Sequence, residues 1–338
     1  MYYPNLKTSD AELRAVRFLD DDVKRKIIPI FELTRSRKTR NIPNGSIERR
    51  VEQLYGAYGK YCFILDLATQ DDLINDQVIS MFDESGGYRN WTDFLEKNSE
   101  GNIIPCVLYT EDGSKENFQK QIDRIASRYG KICLRTSVAD EDASKLYRWA
   151  CEVVDANDII TCGILYYIEP LRIGNYKELC RLYVERVIGN KIPGSVLFPG
   201  SSFPRYVTDR EGCGDLKGKF EALELLVERD VQTMFSNIPI EPSDFASVHP
   251  IRYQTGGGNW IPRIDIFDGS SFIYVRSRRT NGGYDKAAQD VDRTLVSRLP
   301  ESWGKTQIIN AIDGKVTGGS PSFWISVRIN CWITQRAK

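Results

Sequence analysis

The stretches Ile27-Ile28-Pro29-Ile30-Phe31-Glu32-Leu33 and Tyr61-Cys62-Phe63-Ile64-Leu65-Asp66-Leu67 decide how this chain is read. Each is apolar without alternation until one carboxylate near its end. A strand with one wet face alternates polar and apolar residues; a strand covered on both faces does not. Both therefore read as buried parallel strands. Working outward, similar starts fall near residues 27, 61, 103, 131, 161 and 195, a spacing of roughly 30–40 residues that matches one β-α unit. Helical stripes fill the gaps. Residues 46–58 carry Ile47, Val51, Leu54 and Tyr58 on one face behind Ser46 as N-cap, and residues 114–129 carry Phe118, Ile122 and Ile125 behind Ser114. The expectation is an α/β chain forming a (β/α)8 TIM-like barrel over residues 1–338, with an open doubly wound sheet as the alternative.

After residue 198 the pattern loosens. A less regular C-terminal third, residues 240–338, is expected to carry a β-hairpin and helices and to close the barrel. Residues 219–235 read as one helix and 245–248 as a seventh strand. Residues 261–267 and 271–277, joined by Asp268-Gly269-Ser270, read as a hairpin with one arm as the eighth strand. Residues 284–299 read as a helix, and 323–333 as a helix or a strand.

Composition narrows the function classes. The 338 residues are 41% hydrophobic and 27% charged, as in ordinary globular proteins. Lys plus Arg and Asp plus Glu both number 46, so overall charge does not drive the chain toward nucleic acid or membrane. No apolar run approaches the ~20 residues needed to cross a bilayer. Met1-Tyr2-Tyr3-Pro4-Asn5 lacks a basic region followed by an apolar one, so a cytoplasmic location and no membrane partner are expected. The 8 cysteines show no spacing of a zinc knuckle or redox pair and read as reduced, small hydrophobes.

In a barrel, chemistry collects at the carboxyl ends of the strands. That rule selects Glu32, Asp66, Tyr109, Arg135 and Glu169, and the sixth strand runs into Ser201, Ser202 and Phe203. Glu32 and Asp66 on neighbouring strand ends could act as acid and base or hold a divalent cation such as Mg²⁺. The competing reading pairs them with Arg135 or another rim cation. Arg35 and Arg37, in the basic loop after the first strand, are candidates to clamp a phosphate with Arg135 and the later Arg276, Arg278 and Arg279. The competing reading there is a solvated loop. His249 is the single histidine, which excludes multi-histidine metal sites and leaves a general base or a structural imidazole.

The blocks Tyr3-Pro4-Asn5-Leu6-Lys7-Thr8, Glu12-Leu13-Arg14-Ala15 and Ile28-Pro29-Ile30-Phe31-Glu32-Leu33 resemble the phage beta protein family. So do Ser201-Ser202-Phe203-Pro204, Asp244-Phe245-Ala246-Ser247-Val248-His249-Pro250 and Gly319-Ser320-Pro321-Ser322-Phe323-Trp324. The chain departs at Ser243-Asp244-Phe245-Ala246, where the family has Gly-Asp-Tyr-Ala, and at Asn330-Cys331-Trp332, where paired histidines are expected. The resemblance implies a setting of phage–host conflict more than a reaction, and adds Asp244 to the candidate residues. Two readings follow: a phage-defence or phage-encoded protein that binds a phosphate-bearing ligand, nucleotide or nucleic acid, at the mouth, with hydrolysis as its chemistry; or a non-catalytic sensor or adaptor that binds a protein partner through residues 253–260.

Overall fold

How the parallel strands pack follows from which side chains each turns to either face. The structure, a computed structural model, describes residues 1–99, 102–189, 191–252 and 260–337. Its parallel strands are β1 (Tyr3–Lys7), β2 (Ile30–Leu33), β3 (Phe63–Leu67), β4 (Ile103–Pro105), β5 (Ile132–Ser137), β6 (Ile159–Ile164), β7 (Tyr166–Tyr167), β8 (Ser195–Leu197) and β9 (Gly200–Ser201). After β10 (Lys217–Glu221) come two further parallel segments, β11 (Ile240–Glu241) and β12 (Ser243–Asp244).

Pairing runs β4-β3-β2-β1-β12-β9-β7 in one sheet and β11-β8-β6-β5 in another. A parallel backbone bridge between Cys106 and Cys133 joins the end of β4 to β5. The protein is thus a mixed α/β fold of parallel strands and helices.

Residue parity sorts the strands into two apolar faces. Leu6, Phe31, Leu33, Phe63, Leu65, Leu67, Ile103, Ile132, Leu134, Ile159 and Val196 join the main core with the helices. Tyr3, Ile30, Ile64, Ile104, Cys133, Ile160, Cys162 and Leu197, of opposite parity, form a second cluster with Phe245. Both faces are dry, which is why the strands read as unbroken apolar runs. Ser46 and Ser114 accept from the backbone N–H of Arg49 and Asn117, capping helices Ile47–Tyr58 and Lys115–Tyr129 as their sequences imply.

Several expectations are corrected. Tyr3–Lys7 is a strand ahead of the one at residues 27–33, and it pairs with both β2 and β12. Its polar residues and Pro4 hid it. Residues 245–248 form a turn, and the strand segments lie just before them in β11 and β12. The hairpin of β13 (Arg263–Phe267) and β14 (Ser271–Arg276) contributes no arm to the parallel strands; it forms its own antiparallel sheet, in the order β10-β14-β13. The helix expected from residue 219 begins at Leu223, because 217–221 pairs with β14. Residues 284–299 split into helices Gly283–Gln289 and Arg293–Arg298.

The C-terminal segment is a helix, Pro321–Arg336, capped by Ser320 with proline in the first turn. Its β-branched and aromatic content reflects burial on several sides. Trp332 packs on Phe267 and Phe272 at 4.5 and 5.0 Å between ring centres. Asn330 donates to Ala15 O at 3.0 Å, and Trp324, Val327 and Cys331 enter a separate core with the helices of residues 283–312.

Candidate functional site at the strand ends

Two residues beyond the inner apolar cluster, the same strand face turns polar. Tyr3 is followed by Asn5 and Lys7, Ile30 by Glu32, Ile64 by Asp66, and Cys133 by Arg135. Lys7, Glu32 and Asp66 stand side by side in the pairing register. Arg135 reaches both carboxylates from β5: its guanidinium meets Glu32 Oε1 at 3.0 Å and also Asp66 Oδ2. Lys7 Nζ lies 3.1 Å from Glu32 Oε2 and donates to Pro250 O at 2.7 Å. Asn5 donates to Glu32 Oε1 at 3.2 Å. The Arg135 side chain is 5% exposed and those of Glu32 and Asp66 are 14% and 13%, so these are desolvated charges. The pairing of the two carboxylates with Arg135 is the arrangement that competed with the acid–base reading of the sequence.

The carboxylates are not equivalent. Burial alone would raise the Glu32 carboxyl, but Lys7 and then Arg135 outweigh it and hold Glu32 at about 2. Burial raises Asp66 above the ordinary carboxylate value, reinforced by Glu32 and opposed by Arg135. Glu32 is therefore held as an anion, whereas burial works against the ionised form of Asp66. The oxygens already meet two cations, and the described residues hold no group of three or more His, Cys, Asp or Glu arranged for a metal. The pair does not fit a divalent cation such as Mg²⁺. Among the described residues, Asn5 Oδ1 and Arg135 Nε are buried without a hydrogen-bond partner.

Around this quartet lie other residues of the loops that follow the strands. Tyr109 donates to Asp140 at 2.8 Å. Tyr166 is exposed and holds a left-handed backbone with φ 57°. Partial burial of the phenol raises it, and Arg135, Glu32 and Asp66 act on it. His249 stacks on Tyr167 at 4.8 Å, and its Nδ1 accepts from Ile251 N–H at 3.1 Å. Burial lowers its pKa, and the charges of Lys7 and Arg205 lower it further. The loop bearing His249 is strapped down at its far end: Arg252 meets both oxygens of buried Glu12 at 2.7 and 2.9 Å, and its N–H donates to Gln70 at 2.9 Å.

The remaining candidates lie elsewhere. Arg35 donates to Asp72 O at 3.0 Å, and Arg37 is exposed on the same loop. Glu169 pairs with Arg172 at 3.3 Å. Asp244 is 1% exposed and is the hub that fastens the C-terminal helix, taking hydrogen bonds from Tyr2, Trp332, Ala246 N–H and Arg336. Phe203 packs against Phe220 and Phe272 beneath the guanidinium of Arg328. Ser201 accepts from Phe203 N–H at 3.1 Å. Trp260 is exposed, and the rest of the 253–260 stretch lies outside the described residues. Lys7 and Asn5 were missed by sequence reading; their signal was the alternation Tyr3, Asn5, Lys7.

Ser202 belongs to another buried group. Its hydroxyl and N–H both donate to Glu224 Oε2, at 2.5 and 3.0 Å. Burial lifts Glu224 to about 7. A carboxyl raised on folding adds stability below its unfolded pKa, and that stability is lost as pH rises through the folded value. Relative to wild type, Glu224→Gln is therefore expected to gain about 3 kcal/mol between about pH 5 and about pH 8. Urea midpoints at the two pH values check this; a constant difference would count against it.

No described helix is long and apolar enough to cross a membrane. The protein is similar to Protein beta of Enterobacteria phage P4, with 25% identity over 99% of this chain and 92% of that one. Among solved structures, it aligns with the spore cortex-lytic enzyme SleL of Bacillus cereus at 12% identity, covering 97% of this chain and 74% of that one with a TM-score of 0.31. It aligns with SleL of Bacillus megaterium at 9% identity, covering 97% and 73% with a TM-score of 0.31. Similarity of that degree assigns neither fold nor activity. The family model described as Beta protein matches residues 2–338, so the chain belongs to the Beta protein family.

Proposed function

We propose that the protein is a single-domain (β/α)8 barrel of a phage-encoded or phage-defence system that binds a phosphate-bearing ligand at its carboxyl-end mouth. Support for closure is that β1 pairs with β2 on one side and β12 on the other, and that one inner cluster draws on β1 through β6 and on β8. An open sheet would keep the inner residues of its outermost strands apart. Residues 240–338 then supply the last staves and an appended lobe.

The observation that carries the ligand reading is the company kept by His249. Lys7 and Arg205 both act on its ring, Lys7 donates to the carbonyl of the adjoining Pro250 at 2.7 Å, and Glu32 links Lys7 to Arg135, whose Nε is buried without a partner. Cations gathered around a neutral imidazole at the ends of the last strands suit a phosphate, and barrels commonly place phosphate groups at the loops after the seventh and eighth strands. Asp66 is the group that would move a proton in a hydrolytic step, with Glu32 holding Lys7 and Arg135 in place.

The single histidine makes the test direct. Inorganic phosphate and nucleotides are titrated while the imidazole is followed by NMR. Bound phosphate replaces repulsion with attraction and should raise the His249 pKa by about one unit. Lys7→Met should abolish that rise. Glu32→Gln should strengthen binding, because it releases Lys7 and Arg135 from a competing anion. An imidazole titration unmoved by any of these ligands overturns the reading.

A second reading, a partner-binding adaptor, is favoured by one observation: Trp260 is 40% exposed, the property expected of an interface anchor.

A further inference from the structure

We propose that the open end of the hairpin, where Arg263, Arg276, Arg278 and Arg279 gather beside Trp260, binds the backbone of a single-stranded nucleic acid. Arg263 and Arg276 lie on the antiparallel sheet rather than on the parallel strands that carry the quartet, and the proposal does not rest on the phosphate-ligand reading.

The argument begins with an unfavourable pair. Arg263 and Arg276 are direct cross-strand partners between β13 and β14. Like charges opposite one another weaken a sheet unless counter-charges offset them. The counter-charges present do not balance the cluster. Asp265 meets Arg263 at 2.9 Å, but it is also held by buried Arg328 at 2.5 Å. Asp215 is shared by Arg276 at 3.7 Å and Arg278 at 3.1 Å. Burial, and then the neighbouring Arg263 and Arg278, pull Arg276 below the ordinary guanidinium value, against the attraction of Asp215. The Arg279 guanidinium lies over the Trp260 ring, 3.7 Å from its centre. In a chain with equal numbers of acidic and basic residues, this is a local surplus of positive charge.

Its composition selects the partner. Guanidinium groups spread over two strands and the following turn suit a row of phosphates better than one small anion. The exposed indole adds a flat apolar surface on which an unpaired base can stack, and an arginine beside an aromatic ring is a recurrent pairing in single-strand binding. A duplex offers its phosphates but hides its base faces, so single strands should bind more tightly.

The experiment measures fluorescence anisotropy of labelled DNA and RNA single strands of about 20 nucleotides, and of the matching duplexes, against the full chain. Affinity should fall between about 50 and about 200 mM salt, as counterion release requires. Arg278→Glu with Arg279→Glu should weaken single-strand binding at least about tenfold and flatten the salt dependence. Trp260→Ala should weaken it several-fold with the salt dependence unchanged. Arg293→Glu, on another helix where exposed Arg293 pairs with Asp313, is the control and should have no effect. The hairpin variants should leave the His249 response to phosphate intact, which keeps this proposal apart from the mouth. Absence of binding at low salt, equal loss in Arg293→Glu, or tighter binding of duplex would overturn it. So would loss of a copurifying protein in Trp260→Ala with nucleic-acid affinity unchanged.

Discussion

Arg135→Met is expected to destabilise the fold by about 3–5 kcal/mol at neutral pH, because it takes from buried Asp66 the cation it pairs with and leaves buried Glu32 with Lys7 alone. Arg135 is 8% exposed and is the only group in contact with both Glu32 and Asp66 among the described residues. Methionine fills a similar volume, so the loss reports charge rather than a cavity. The pH dependence gives the signature. In wild type, Glu32 is held at about 2, below its unfolded value. A depressed carboxyl contributes stability above the unfolded pKa and loses it as pH falls through the folded one, here an effect of about 3 kcal/mol. In Arg135→Met the sign reverses. Glu32 keeps Lys7, but Asp66 loses its cation, burial raises its carboxyl further, and the variant should recover part of the lost stability as pH falls from about 7 to about 4.5. Urea unfolding of both proteins across that range decides it. A variant within about 1 kcal/mol of wild type, or equally weakened at both ends, would show that Arg135 does not hold the quartet.

Asp244→Ala should cost a similar amount, about 3–5 kcal/mol, for a different reason. Its carboxylate accepts from Tyr2 Oη at 2.6 Å, Trp332 Nε1 at 2.9 Å, Ala246 N–H at 2.7 Å and Arg336 Nε at 3.2 Å. Alanine leaves Tyr2 Oη and the Ala246 N–H without this acceptor, Trp332 with only Tyr2 Oη at 3.1 Å and Arg336 with only Glu228. The lesion joins the first strand, the last strand and the C-terminal helix, so the loss should be cooperative. Near-ultraviolet circular dichroism would report loosening around Trp332, and thermal unfolding would report the stability. Asp244→Asn, which keeps shape and some hydrogen bonding, should fall between the two. An unchanged melting temperature in Asp244→Ala would remove this residue as the fastening of the C-terminal helix.

The cluster at the strand ends was partly legible in sequence. Glu32 and Asp66 announced themselves as charges ending apolar runs, and Arg135 did the same on β5. Their meeting required the register Glu32 opposite Asp66 and the reach of Arg135 from a strand distant in sequence. Lys7 was hidden because β1 mixes polar residues and proline with its apolar ones. Its polar positions point into the same layer as Glu32, which local periodicity cannot reveal. Asp244 was singled out through family resemblance, yet the structure gives it a fastening role away from the mouth. The hairpin at residues 261–277 was read correctly as a hairpin and wrongly as part of the parallel strands.

By itself the sequence determined the parallel α/β character, because dry strand faces on both sides leave unbroken apolar runs that helices must cover. It also determined helix starts such as Ser46 and Ser114, because a cap is a contact between residues a few positions apart. Only the tertiary structure decided which charges neutralise one another, that β1 stands between β2 and β12, and that the arginines near residues 263–279 collect by themselves. Those outcomes depend on contacts between different elements, from about a dozen positions apart in the hairpin to 240 between β1 and β12. Local propensity is blind to them, and burial fixes their energies only once the chain has closed on itself.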